Sequence, residues 1–213
     1  MTTCPPPRRR GPYRGKRLTD LVLLAVVALP ALALGAVAAV AIRLTSRGPV
    51  MFFQRRVGMG GETFVVWKFR TMLDGDNPII PADDRITAVG RILRRLSLDE
   101  LPQLVNVARG EMSVIGPRPT LEYQVNRWDQ RQRARLDVRP GLTGLAQVNG
   151  RNDLTWPERI EYDLDYVATQ SLRTDLRILA RTATAMISGE GTGATAADDP
   201  IAAMDVPLRT GDA

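Results

Sequence analysis

Positions 21–42 are filled by apolar and small residues without one charged side chain (LVLLAVVALPALALGAVAAVAI). Wound as an α-helix, this run reaches about 33 Å, enough to cross the hydrocarbon core of a bilayer. It has no polar face, which argues against a core helix of a soluble domain. Pro30, near its middle, predicts a kink. Both flanks are basic: Arg14, Lys16 and Arg17 precede the run, and Arg43, Arg47, Arg55 and Arg56 follow it. The positive-inside rule draws both ends to the cytoplasmic side. A kinked helix that enters one leaflet and returns satisfies both features, with Asp20 held at the interface. A straight span and a cleaved signal peptide are the rival readings of the same run.

Beyond it the pattern changes period. Val50 to Val57 and Glu62 to Phe69 are rich in β-branched and aromatic residues and flank Gly58-Met59-Gly60-Gly61, which predicts a β-hairpin. Lys68 and Arg70 lie two apart, so an extended strand would put them on one face. Ile86, Val89, Ile92, Leu93 and Leu96 recur at helical spacing, with Arg91, Arg94 and Arg95 on other faces. That is an amphipathic helix suited to a membrane surface or to a core. Next comes Ser97-Leu98-Asp99-Glu100-Leu101-Pro102-Gln103, with Pro102 in a first helical turn and Gly110 as the stop of a helix running to about Ala108. Residues 121–137 read as a polar, exposed helix, with Trp128 as an interfacial anchor. Residues 138–152 read as rigid loops and turns, and 157–187 as helix. The proline- and arginine-rich stretch 1–15 and the Gly/Ala/Thr/Asp-rich stretch 189–213 read as disordered tails.

Length and composition narrow the chemistry. A chain of 213 residues allows one domain plus tails. Lys and Arg number 29 against 23 Asp and Glu, a net charge of +6 that calls for an anionic partner. There is no histidine, which removes Ser-His-Asp triads, histidine acid–base work and His-ligated zinc. The single cysteine, Cys4, excludes intrachain disulfides and Cys-cluster metal sites. Catalysis is left to carboxylates, Lys, Arg, Tyr and a hard metal held by oxygen. Asp74, Asp76, Asp83 and Asp84 miss the EF-hand spacing, and the glycines match neither a P-loop nor a dinucleotide-binding fingerprint.

Within those bounds, Asp99 and Glu100 follow a run of arginines and precede a helix-starting proline. A helix N-terminus favours ionised carboxylates and phosphate alike. Taken alone, Ser97 with Glu100 also fits a capping box. In Gly116-Pro117-Arg118-Pro119 the prolines restrict the backbone on both sides of Arg118, which suits aiming one guanidinium at a phosphate. Arg139-Pro140-Gly141 repeats the device, and Asn149-Gly150-Arg151-Asn152 closes the series.

Taken together, the helix with its central proline, Lys68-Phe69-Arg70-Thr71-Met72, the Asp99-Glu100 segment, Gly116-Pro117-Arg118-Pro119, Arg139-Pro140-Gly141-Leu142-Thr143-Gly144 and Gln147-Val148-Asn149-Gly150-Arg151-Asn152 resemble a family over about residues 16–188. They resemble the bacterial sugar transferases, monotopic phosphoglycosyl transferases that move a phosphosugar from a nucleotide sugar to a polyprenyl phosphate. The chain looks like their minimal catalytic form, without the long N-terminal region of larger members. The resemblance implies that Asp99 is the nucleophile. It would attack the β-phosphorus of a UDP-sugar and hold the phosphosugar until a polyprenyl (undecaprenyl) phosphate takes it. Glu100 would hold Mg²⁺. Lys68, Arg70, Arg94, Arg118, Arg139 and Arg151 become candidate substrate clamps, and Asp163 and Asp175 match family acidic positions that could equally hold arginines in place. Where some members have Ser before the helix proline, this chain has Leu29.

The resulting expectation is an α/β mixed, mostly helical fold. A re-entrant membrane helix (16–48) precedes a small cytoplasmic catalytic domain (49–188), which carries a short hairpin and interfacial amphipathic helices. The expected setting is the cytoplasmic (inner) membrane, with membrane lipid, UDP-sugar and polyprenyl phosphate as partners, no nucleic acid, and a second copy of the chain allowed. The expected activity is the first step of exopolysaccharide, O-antigen or glycan assembly. The rival is a non-catalytic membrane-associated scaffold of polysaccharide assembly, in which the two carboxylates only cap a helix.

Overall fold

The computed structural model describes residues 11–73, 85–150 and 154–188. The loop aspartates Asp74, Asp76, Asp83 and Asp84, the candidate clamp Arg151, residues 1–10 and the tail 189–213 lie outside the described residues.

The alanine- and leucine-rich run forms one helix, α1 (Lys16–Thr45), with Pro30 inside it. It is long and apolar enough to cross a membrane. Its two ends pack on the same body of protein, and its middle does not. At the C-terminal end, Ala38 and Ile42 join a buried cluster with Phe69 and Leu93. In the middle, Leu29 and Leu32 are 80% and 76% exposed.

The N-terminal end is fixed by buried charge. The Lys16 ammonium lies 2.7 Å from Asp175 and 3.4 Å from Asp20. Asp20 accepts from the Ser113 hydroxyl at 2.8 Å and from the Val114 amide at 3.0 Å. The Tyr166 and Tyr13 hydroxyls each donate to Asp175 at 2.9 Å. Asp20 is therefore not an interfacial residue but a buried anchor joining α1 to the domain. Tyr13, placed by the sequence in a loose tail, is part of the same network.

After α1 come the hairpin strands β1 (Met51–Val57) and β2 (Thr63–Phe69), antiparallel, with Arg56 opposite Phe64 and Lys68 opposite Phe52. One face carries Gln54, Arg56, Val66 and Lys68, and Val66 is buried against Val107 and Met112. The other face presents Phe53 and Trp67, which meet edge to face. Helix α2 (Ala88–Arg95) follows, N-capped by the Thr87 hydroxyl. A 3₁₀ stretch (Leu98–Gln103) leads into α3 (Leu104–Arg109), which stops at Gly110 in the left-handed conformation.

A short parallel pair forms between β3 (Ser113–Ile115) and β4 (Gly141–Thr143), the second of which lies in the stretch whose pattern predicts loops and turns. It closes the backbone around Gly116-Pro117-Arg118-Pro119. A Cβ on Gly141 would sit 2.1 Å from the Gly116 nitrogen, and one on Gly144 would sit 2.2 Å from the Gly116 carbonyl oxygen. Only glycine permits that approach. Between these strands, the predicted helix 121–137 is broken into α4 (Glu122–Asn126) and a 3₁₀ stretch (Gln132–Asp137). Trp128 is buried with Val57, Val125, Ile160 and Leu164, so it is a core residue, not an interfacial anchor. Helices α5 (Trp156–Thr169) and α6 (Leu172–Ser188) complete the fold.

Candidate active site

The segment carrying Asp99 and Glu100 is seated from two sides. Leu98 and Leu101 pack on the cluster formed by the C-terminal end of α1, Phe69 and Leu93. From the other side, Asn106 of α3 binds the open edge of β2. Its Oδ1 accepts from the Trp67 amide at 3.2 Å, and its Nδ2 donates to the Val65 carbonyl at 2.7 Å and to Glu111 at 2.6 Å. This buried amide stands in for a neighbouring strand and fixes the carboxylate segment against β2. The capping box expected from Ser97 and Glu100 does not form. Ser97 takes a left-handed conformation at φ 55° and its side chain makes no cap bond. The Glu100 carboxylate is engaged elsewhere.

Glu100 accepts from the Lys68 ammonium at 2.8 Å. Arg118 grips it with both Nη atoms, at 2.5 and 3.3 Å. Burial pushes the Glu100 carboxyl up, but the charges and hydrogen bonds of Arg118 and Lys68 outweigh it and hold the group well below the usual carboxylate range. Asp99 behaves in the opposite sense. Burial and then the adjacent Glu100 charge push its carboxyl up, against the pull of Lys68, Arg118 and Arg94. Among the described residues nothing donates a hydrogen bond to it. Two neighbouring carboxylates thus have different chemistry: one is a clamped anion, the other a more basic group with free lone pairs.

Arg118 is aimed by its backbone. Its carbonyl accepts from Arg135 at 3.0 Å, and Arg135 is buried in an ion pair with Asp163 and lies over the Trp128 ring. The side chain is half exposed, at 49%. Arg94 donates to the Thr71 hydroxyl at 2.9 Å and lies close enough to Asp99 to lower its pKa.

Of the residues singled out in the sequence, Lys68 and Arg118 meet Glu100 directly, with Asp99 and Arg94 beside them. Four others do not join them. Arg70 lies just past the end of β2 and donates to the Ser46 and Arg47 carbonyls, so it ties down the exit of α1 rather than sharing the Lys68 face. Arg139 donates to the Gly110 carbonyl at 2.8 Å. Asp163 reaches the site only through Arg135. Asp175 belongs to the Lys16 network. Sequence reasoning missed Asn106, Arg135 and Arg56. Arg56 had a usable signal, because the hairpin register places it on the face that carries Lys68.

A hard divalent ion fits this donor set in one way. Asp99 and Glu100 supply oxygen, and no group of three or more acidic or sulfur ligands exists among the described residues. A magnesium ion binds through one or two carboxylates when water and substrate phosphates fill its other positions. Glu100 would hold it there, beside the Lys68 and Arg118 cations.

Comparison with known sequences identifies the kind of protein that shares these features. The family profile described as bacterial sugar transferase matches residues 12–189. The UDP-glucose:undecaprenyl-phosphate glucose-1-phosphate transferase of Caulobacter vibrioides is 44% identical over 186 residues, covering 81% of this chain and 70% of that protein. The exopolysaccharide production protein ExoY of Sinorhizobium fredii is 40% identical over 197 residues, covering 83% and 87%. The undecaprenyl-phosphate galactose phosphotransferase of Salmonella typhimurium is 40% identical over 164 residues, covering 68% of this chain and 34% of that longer protein.

Proposed function

This chain belongs to the bacterial sugar transferase family, and we propose that it moves a sugar phosphate from a UDP-sugar to a polyprenyl phosphate through a covalent bond to Asp99. The observation that carries the proposal is the divergence of the two carboxylates. An Asp99 oxygen attacks the β-phosphorus, the bond to the bridging oxygen breaks, and the nucleoside monophosphate leaves with the electron pair. An oxygen of the lipid phosphate then attacks the same phosphorus, and the carboxylate departs. Neither step needs a proton shuttle, which suits a site without histidine. Lys68, Arg94 and Arg118 neutralise charge on the phosphates. Bound Mg²⁺ would offset the charge that builds on the departing phosphate.

The setting we propose is the membrane surface. Both ends of α1 rest on one domain, and its exposed middle holds Pro30. This geometry supports a helix that dips into a leaflet and returns, with the domain on the cytoplasmic side. Exposed Ile92 and Leu96 at α2, and Leu172 and Leu176 on α6, support an interfacial seat for those elements. The expected product starts exopolysaccharide or O-antigen assembly. The scaffold reading fits poorly with relatives named as phosphotransferases.

The test is direct. Membranes bearing the chain are incubated with a panel of radiolabelled UDP-sugars, and the lipid is extracted. Wild type should label lipid with one sugar and trap label on protein. Asp99→Asn should do neither. Lipid labelling at an undiminished rate by Asp99→Asn overturns the covalent route.

A further inference from the structure

Among the described residues, Arg56 is a cation without a carboxylate paired to it. It sits on β1, partly buried, on the face of the hairpin that carries Lys68. Its Nη2 donates to the Gln54 amide oxygen at 2.6 Å, and its Nη1 donates to the Pro119 carbonyl at 3.4 Å. Both partners are neutral. Among the described residues no carboxylate pairs with it. Arg118 is close enough to repel it, while the nearby Glu100 charge is already gripped by Arg118 and Lys68. Burial and then Arg118 lower the Arg56 pKa to about 10, so the group stays charged at neutral pH.

A guanidinium left in this position costs free energy unless an anion meets it. The local charges make the same point. Among the described residues, Lys68, Arg94 and Arg118 act on Asp99, and Arg56 lies near Glu100. Gln54, two residues away on the same face, fixes one edge of the guanidinium fork, and the other edge donates to the carbonyl of Pro119, the neighbour of Arg118 in the chain. The hairpin register puts Lys68 four residues further along this face, about 13 Å at strand spacing. The cationic face is therefore longer than the carboxylate pair needs.

We propose that Arg56 binds the donor's outer phosphate, the one that departs with the nucleoside, while Arg118 and Lys68 serve the phosphate that Asp99 attacks. This rests on the reading of the site as a sugar-phosphate transferase. It adds a second anion subsite, built by β1, to the clamp formed around Glu100.

The two half-reactions separate this role from a structural one. The full chain in nanodiscs is compared with Arg56→Gln and Arg56→Lys. UMP affinity is measured by titration calorimetry, nucleotide release in the first half-reaction by rapid quench, and discharge of preformed phosphosugar enzyme to lipid phosphate in the second. Arg56→Gln should weaken UMP binding about tenfold, the worth of one charge-assisted hydrogen bond, and slow nucleotide release without changing discharge. Arg56→Lys keeps the charge without the fork and should lose less. It carries the test with the same split should the glutamine variant fail to fold. Equal slowing of both half-reactions with unchanged UMP affinity would mean that Arg56 merely holds Pro119 and so Arg118, which overturns the proposal. Unchanged kinetics and affinity overturn it as well. Turnover surviving in Asp99→Asn would instead remove the underlying reading, whatever Arg56 does with UMP.

Discussion

Replacing Asn106 should loosen the active site from a distance. Its side chain is fully buried, 0% exposed, and no residue of the carboxylate segment touches its amide. Asn106→Ala leaves the Trp67 N–H and the Val65 carbonyl on the edge of β2 without partners. Each orphaned buried polar group costs about 1–3 kcal/mol, so the pair should cost roughly 2–6 kcal/mol. A domain of this size loses about 2–4 °C of melting temperature per kcal/mol, which places the expected drop at roughly 4–24 °C. Asn106→Asp is the sharper variant. It keeps an acceptor for Trp67 but turns both donor contacts into repulsions, against the Val65 carbonyl and the Glu111 carboxylate. The full chain in detergent is melted while tryptophan fluorescence is followed, and nucleotide release is timed at a temperature where every variant is folded. Both variants should melt early, with Asn106→Asp the worse, and both should release nucleotide slowly because Glu100 no longer faces Lys68 squarely. An Asn106→Asp protein that melts within about 2 °C of wild type would refute the claim that this amide seals the strand edge.

Two further outcomes follow from the charges. In the proposed reaction Asp99 attacks as the anion, and its pKa is raised by burial and by Glu100 while Lys68, Arg118 and Arg94 pull it back. The acidic limb of the first half-reaction should therefore lie above the usual carboxylate range. Lys68→Met removes a cation that favours the anion, so it should move that limb to higher pH; an unmoved limb in the pH–rate profile contradicts the assignment. Lys16→Met strips the buried Asp20 and Asp175 of their cation and should cost about 3–5 kcal/mol. Adding Asp175→Asn should recover part of that loss, and hydrogen exchange at residues 17–24 should report whether the N-terminal end of α1 lets go.

Local signals carried the elements further than the site. The apolar run, the strand pattern around Gly58–Gly61 and the helical spacing of Ile92 and Leu96 are properties of neighbouring residues, and each produced its element. The β3–β4 pair escaped because strands of three residues have too little pattern, and parallel pairing joins stretches far apart in sequence. Trp128 was misplaced for a related reason. An aromatic in a polar stretch suits an interface or a core equally well, and only the approach of Val57 and Ile160 decides. Arg70 shows how sharply position matters: it is two residues from Lys68, but the strand ends between them, and its guanidinium serves the exit of α1 instead.

The carboxylate pair itself marks where sequence reasoning stops and geometry takes over. Asp99 and Glu100 are adjacent acids, and nothing in their order says which should attack. The answer depends on Arg118 arriving from a loop locked by Gly116, Gly141 and Gly144, and on Lys68 arriving from a hairpin stapled by Asn106. Both cations choose Glu100. A carboxylate with its lone pairs committed to a lysine and an arginine fork is a poor nucleophile but a well-held anion. Its neighbour, desolvated and repelled by that same anion, becomes more basic, and among the described residues no hydrogen bond to it would have to break before the attack we propose. The division of labour we propose thus rests on two distant segments. Substitutions at the glycines or at Asn106 should degrade it even though none of these residues reaches a phosphate.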